Sequence, residues 1–327
     1  MRRAFILLAG GIAFVAGLAA AWVIAGGAEE PTITQFDAES QYFRIRVIDY
    51  PQRDRRYMRF SKPGPIQSTM VISDPQKLEL RHAQSMMAAL ALHPAPKDVL
   101  LVGLGGAAIP RFIQRHFPDM RLDIVELDPE VVKVCQEWFA FKGTPNTRVI
   151  VMDGRMYLKR SAKAYDVILL DAYSSDHIPF HLTTREFLEL VKSRLSPGGV
   201  VAANLWEPGL AAATGMGPAV SRLYLASLRT YQLTFPQTYL CKSGTAGKII
   251  VFGSLAEKVV TMEEWAKRAE ALASGKNFGF DLPAIVRTEY EHLAPQTIAE
   301  RPLTDDLAPV DTLRREHPKY FDEDSAK

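Results

Sequence analysis

Cysteine is nearly absent. Cys135 and Cys241 are the only two among 327 residues. Two thiols cannot build a disulfide framework or a cysteine-only zinc site, and they read as two separate buried groups. Net charge is nearly absent too: 39 basic residues stand against 37 acidic ones, leaving +2. No basic stripe with interleaved aromatics runs through the chain, so nucleic acid is not an expected partner. Three chemical signatures are also missing. The glycine turn at residues 103–106 falls short of a full G-x-G-x-x-G, which suits an adenosine better than a dinucleotide. Ser174 and Ser175 sit in no nucleophile elbow, which argues against serine hydrolase chemistry. Asp176, His177 and His181 have the residue types of a metal site. Pro179 interrupts any helix between the two histidines, however, and no second ligand cluster exists, so loop histidines are the reading and no metal is expected.

Apolar residues are plentiful at 47%, enough for one large core, or for one large and one small. Residues 4–28 carry no charge and follow Arg2 and Arg3. A run of about 20 apolar residues crosses a bilayer. The stretch is longer than a usual signal core and reads as a single transmembrane anchor, with Ala13, Gly17 and Ala21 spaced for packing on another helix. A signal peptide cleaved near residues 26–28 is the competing reading. The next basic residues are Arg44 and Arg46. The positive-inside rule then puts the amino end in the cytoplasm, with the soluble part in the periplasm of a bacterial inner membrane.

Residues 29–40 read as a linker. Residues 41–75 read as a small antiparallel β unit: YFRIRVIDY alternates, and RRYMRFS and IQSTMVIS look like further strands around the turn KPGP. LELRHAQSMMAALALH has a helical period and is ended by Pro94 and Pro96. The main unit, residues 76–313, is organised around four apolar runs: DVLLVGLGGAAIP, LDIVELDPEVV, RVIVMDGRMYL and YDVILLDAYSSD. Each ends in glycine or acid, the rhythm of a doubly wound, mostly parallel sheet that binds its ligand at the carboxyl ends of the strands.

The candidate site residues follow from that rule. Gly103 and Gly105 let the backbone turn sharply and approach a ligand closely. Glu126, at the next strand end, is placed to accept two hydrogen bonds from a ribose diol. Asp153, followed by Gly154, could bind an adenine amino group, cap a helix, or do both. Asp171 ends the fourth run and faces the cleft, with the right chemistry for taking a proton from an amine. Further on, residues 200–205 read as a strand and 215–231 as a helix. Residues 233–240 and 247–253 look like a terminal antiparallel pair. Residues 261–273 form an amphipathic closing helix, and a charged tail covers 314–327.

In combination SQYFRIRV, GPIQ ending in Gln67, VGLGG, VELDPEVV, DGRMYL, YDVILLDAYSSD, LSPGGV and LTDDLAPVD resemble the spermidine synthase family of aminopropyltransferases, in its divergent membrane-linked bacterial branch. The resemblance covers about residues 40–311. It implies a Rossmann-like methyltransferase fold behind a β domain. It also implies decarboxylated S-adenosylmethionine as donor, a polyamine-type amine as acceptor, and no metal. By position, Glu126 would bind the ribose, Asp153 and Gly154 the adenine, and Gln67 would line the donor site. Asp171 would handle the amine proton, and His82, Asp176 and Glu207 would face the acceptor. Family members often form dimers, so a homodimer, or a membrane-protein partner, is an open expectation.

Several positions depart from the family. Gly106 stands where an aspartate helps hold the aminopropyl ammonium. The family's Tyr-His-Glu triplet appears as Arg81, His82 and Ala83, which would put a cation where a cationic substrate approaches. A Gln-rich stretch is replaced by Asn204, Leu205, Trp206 and Glu207. Two further readings therefore stand beside the first. One is a membrane-anchored, non-catalytic relative serving a membrane or periplasmic complex. The other is a methyltransferase using S-adenosylmethionine itself.

Overall fold

The computed structural model describes residues 30–60, 66–172, 179–206, 222–242, 248–294 and 298–309. The expected anchor or signal segment, the KPGP turn and the charged tail lie outside these residues. Among the described residues no helix is long and apolar enough to cross a membrane.

The chain opens with a four-stranded antiparallel sheet in sequence order: β1 (Ile33–Glu39), β2 (Arg44–Tyr50), β3 (Arg55–Arg59) and β4 (Ile66–Val71). β1 corrects the linker expected at residues 29–40. Its pairing with β2 shifts register between Thr34 and Phe36, and such a bulge breaks the alternation by which a strand is read. One buried face of this sheet, Ile45, Val47, Met58 and Met70, belongs to the same apolar cluster as one face of the main sheet.

The helical run after β4 is divided at Met87 into α1 (Arg81–Met86) and α2 (Ala88–Leu92). Then strands and helices alternate: β5 (Asp98–Val102), α3 (Ala108–His116), β6 (Arg121–Glu126), α4 (Pro129–Trp138), β7 (Thr147–Val151), α5 (Gly154–Arg160), β8 (Tyr165–Leu170), α6 (Arg185–Lys192) and β9 (Leu195–Trp206). The remaining elements are α7 (Arg222–Thr234), β10 (Gln237–Lys242), β11 (Lys248–Ser254), α8 (Met262–Ala273), α9 (Leu282–Glu289) and β12 (Tyr290–His292). The helix expected at 215–231 is thus described from Arg222 to Thr234. The strand pair expected to be terminal, β10 and β11, is not the sheet edge, because the three-residue β12 pairs with β10 outside it.

The eight strands lie in the order β12-β10-β11-β9-β8-β5-β6-β7. β5 to β9 pair parallel, and β9, β11, β10 and β12 pair antiparallel. Both faces are covered, and residue parity shows it. Val99 and Leu101 of β5 pack in one apolar cluster, while Leu100 and Val102 pack in the other. β8 divides the same way, Val167 and Leu169 against Ile168 and Leu170. From β5 the chain winds one way through β6 and β7 and the other way through β8 and β9. The crevice of a doubly wound sheet opens where that order reverses, here between the carboxyl ends of β5 and β8.

Side-chain caps set the helix starts that face this end. Asp128 accepts from the Glu130 amide ahead of α4, Asp153 from Met156 ahead of α5, and Thr184 from Phe187 ahead of α6. On the far side α8 closes the core. Its Trp265 is fully buried, packs edge-on against Tyr239, Phe252 and Tyr290, and donates from Nε1 to the Ala88 carbonyl at 2.9 Å. Trp265→Ala is therefore expected to cost about 3–5 kcal/mol of stability, as large-to-small changes at full burial do. Equilibrium denaturation measures it, and a loss below about 1 kcal/mol would contradict the packing described.

Candidate active site

The turn after β5 fixes the geometry of the site. Gly103 has φ of +95°, and a Cβ there would lie 2.5 Å from the Asp171 carbonyl oxygen. The Gly103 amide donates to Val125 at 2.8 Å, and the Asp171 amide donates to Val102 at 2.9 Å. The glycine turn and the main chain of Asp171 are therefore in direct contact. From beneath, the buried Cys135 thiol donates to the Gly105 carbonyl at 2.8 Å. Arg111 donates to Gly106, Phe139 and Pro75 carbonyls at 2.6 to 2.7 Å, and burial brings its pKa down to about 10. Cys135 and Cys241 are both free and buried, as read from the sequence. Burial raises both thiol pKa values.

Above the turn, Ser68 of β4 fills the space beside Gly106. Its hydroxyl accepts from the Gly106 amide at 2.7 Å, and a Cβ on Gly106 would come within 2.7 Å of the Ser68 Cβ. The aspartate that the family carries at this position has no room here while Ser68 stays in place.

Glu126, at the end of β6, is buried and oriented by main-chain donors. Leu104 donates to Oε2 at 2.8 Å and Asp128 to Oε1 at 2.9 Å. Burial raises its pKa, and these amides oppose the rise. Asp153 caps α5 through Oδ1 and meets Nε2 of His181 through Oδ2 at 2.8 Å. Asp171 follows β8, and its Oδ1 accepts from Nδ2 of Asn204 on β9 at 3.1 Å.

These groups surround one cavity of about 460 Å³. Gln67, His82, Gly103, Gly105, Glu126, Asp153, Gly154 and Asp171 all line it. Asp176 and Glu207 lie outside the described residues. Arg81 corrects an expectation. It does not line the cavity, because its guanidinium is paired with the buried Glu289, Nε to Oε1 at 3.0 Å, and Ser85 donates to the same carboxylate. No cation from Arg81 stands in an acceptor's path.

Sequence reasoning missed several lining groups. Tyr42, Phe43 and Phe60 reach in from the amino-terminal sheet, with Phe43 and Phe60 stacked at 4.6 Å. Asn204 could have been found by the strand-end rule, since β9 lies parallel beside β8. His181, expected as a loop histidine, lines the cavity, and its partner Asp153 is 28 residues upstream with no local signal linking them.

The raised pKa of Glu126 has a signed consequence. An acid whose folded pKa lies above its unfolded one stabilises the fold fully below the unfolded pKa. That contribution is lost as pH rises through the folded pKa. Glu126→Gln carries no charge at any pH, so its melting temperature should gain on that of the native chain as pH rises through the weakly acidic range. Parallel curves for the two proteins would show that burial of this carboxyl has no such cost.

The profile of the Spermine/spermidine synthase domain matches residues 81–211. A polyamine aminopropyltransferase of Vibrio vulnificus is 31% identical over 278 residues, covering 82% of this chain and 88% of that protein. The crystal structure of a "probable spermidine synthase" from Corynebacterium glutamicum superposes with a TM-score of 0.60 at 23% identity, covering 80% of this chain and 97% of the other. That likeness is one of fold: Rossmann-like and methyltransferase-type, with an antiparallel sheet at the amino end. Human methyltransferase-like protein 13, solved in complex with SAH, gives a TM-score of 0.51 at 27% identity, covering 68% of this chain and 98% of that one. The identity and coverage shared with the Vibrio enzyme, together with the matched domain, mean that this chain belongs to the spermidine synthase, or polyamine aminopropyltransferase, family.

Proposed function

We propose that this chain transfers the aminopropyl group of decarboxylated S-adenosylmethionine, the donor used by its family, to an amine. The observation that carries the reading is the convergence of Glu126, Asp153 and Asp171 on one cavity beside the glycine turn. Its volume of about 460 Å³ suits a nucleoside-sized ligand. Each Glu126 oxygen takes one main-chain hydrogen bond and keeps accepting capacity for a ribose diol. Asp153 and Gly154 are assigned the adenine, Gln67 the donor wall, and His82 the acceptor side.

The chemistry is a direct displacement. The acceptor arrives as an ammonium and gives a proton to Asp171, which passes it to solvent. The freed nitrogen lone pair attacks the methylene carbon beside the sulfonium. A C–N bond forms, the C–S bond breaks with its electron pair going to sulfur, and neutral 5′-methylthioadenosine leaves. Positioning and amine deprotonation supply the catalysis. Asn204 serves both. Its Nδ2 holds one Asp171 oxygen, and its own Oδ1 is buried without a hydrogen-bond partner among the described residues, so it can accept an N–H of the incoming amine.

A second reading, methyl transfer from S-adenosylmethionine, draws on one observation. At Gly106 the family's carboxylate is missing and Ser68 fills the place. Product analysis separates the two, because aminopropyl transfer releases 5′-methylthioadenosine and methyl transfer releases S-adenosylhomocysteine. With decarboxylated donor and a polyamine the first product is expected. Its absence from every amine tried, with S-adenosylhomocysteine formed instead, would replace the proposal by its rival. Asp171→Asn should lower kcat/KM by about 10²–10⁴-fold while methylthioadenosine affinity stays nearly unchanged. Full activity in that variant would remove Asp171 from the proton step.

A further inference from the structure

The motif LTDDLAPVD has no part in the chemistry above, yet the described portion of it is fastened to the rim of the cavity. Asp305 forms a two-pronged pair with Arg155, the second residue of α5, with Nη1 to Oδ1 at 2.8 Å. Its Oδ1 also accepts from Thr184 at 2.7 Å, and its amide donates to Glu186 at 2.9 Å. Leu303 accepts from the Arg185 amide at 2.8 Å and donates to Thr230 at 2.9 Å. The hydrogen bond from Arg155 holds the Asp305 carboxyl at a pKa of about 2, so the pair stays charged at any physiological pH.

Arg155 Nη1 has a further acceptor, the main-chain carbonyl of His181, at 3.1 Å. The His181 ring in turn meets Asp153 through Nε2 at 2.8 Å. The start of α5 therefore grips His181 twice, at its ring through Asp153 and at its carbonyl through Arg155. The second grip is anchored by Asp305. Asp153 is fixed from both sides, Oδ1 by the Met156 amide at 2.9 Å and Oδ2 by the imidazole. A carboxylate held by two donors cannot rotate to offer a different edge. What remains toward the cavity is acceptor capacity alone.

We propose that His181 is the positioning residue for base recognition: it locks Asp153 as a pure acceptor, so that the site takes a 6-amino purine and rejects a 6-oxo one, and the Arg155–Asp305 clamp holds His181 in register. The inference rests on the adenosine-donor reading above. The physical basis is the asymmetry of hydrogen bonding. An exocyclic amine gives Asp153 an N–H, whereas a 6-oxo group sets oxygen against oxygen and leaves the lone pairs that face each other unpaired, which costs about 1–3 kcal/mol or roughly 10- to 100-fold in affinity. Without the imidazole, Asp153 can turn away from the base and the penalty for a mismatched one shrinks.

The test is calorimetric titration of the full chain with 5′-methylthioadenosine and 5′-methylthioinosine. The native protein should prefer the adenosine by roughly 10- to 100-fold. His181→Ala should reduce that ratio to a few-fold, mostly by weakening the adenosine. His181→Gln keeps an N–H that can reach Asp153 and should retain most of the preference. Asp305→Asn should give an intermediate ratio with His181 unchanged. If His181→Ala does not fold, the Gln and Asp305 variants carry the test alone. An unchanged ratio in all folded variants would overturn the proposal. So would tighter binding of both nucleosides to His181→Ala, which would make the imidazole a competitor for the base site. A native chain that binds neither nucleoside would sink the donor reading itself. A native chain that binds both equally and still transfers the aminopropyl group would sink only the role of His181.

Discussion

The site depends on a contact with no side chain in it. At the point where the strand order reverses, the turn after β5 lies against the main chain of Asp171, so close that a Cβ on Gly103 would sit 2.5 Å from a carbonyl oxygen. Only glycine satisfies both the positive φ and the approach. Because this contact joins the β5 turn to the end of β8, it sets the distance between the glycine turn and Asp171 through backbone alone. Cys135 and Arg111 then hold the underside of the turn by bonding its carbonyls. Arg111 has no carboxylate among its hydrogen-bond partners, and its lowered pKa records what burying such a cation costs.

The amino-terminal sheet completes the site rather than sitting beside it. Its apolar face merges with one face of the main core. Its polar edge sends Ser68 to the Gly106 amide, and its aromatics Tyr42, Phe43 and Phe60 form part of the cavity wall. Ser68 and Gly106 have to be read as one unit. The missing aspartate looks like simple loss in the sequence, whereas in the fold its volume is occupied by a hydroxyl that satisfies the turn's own amide.

The parts of the fold legible beforehand were those that one physical rule decides locally. β5 and β8 are buried on both faces and so read as unbroken apolar runs. Glu126, Asp153 and Asp171 were placed by the rule that parallel strands deliver ligand groups at their carboxyl ends. β1 escaped because a bulge breaks its alternation, and β12 because three residues carry no period. His181 and Ser68 escaped for a different reason. Each matters only through a partner far along the chain, Asp153 for one and Gly106 for the other, and no spacing rule links such pairs. Arg81 misled for the same reason in reverse. Its charge was visible, but not the buried Glu289, 208 residues away, that takes it out of the cavity.

The two halves of the cavity are built with different rigidity, and that difference bears on what this chain can accept. The half proposed for the nucleoside uses Glu126, locked by two main-chain amides, and Asp153, locked by a helix amide and an imidazole, both at or just past the ends of parallel strands. A change there would have to disturb the sheet itself. The half proposed for the acceptor uses Asp171 and Asn204, joined by one hydrogen bond of 3.1 Å, and His82 at the start of α1. Beyond them the wall is aromatic, from residues just outside the strands of the amino-terminal sheet, which the main sheet does not pair with. Side chains in that half can be exchanged without altering a strand register or a turn. Among the departures from the family, Ala83 and Asn204 line that half, while Arg81 is drawn away to Glu289. Gly106, the one departure inside the turn, is packed against Ser68, so a side chain there would require that neighbour to give way. On the proposed reading, it follows that the donor side is the fixed part of this molecule and the amine side is its variable part.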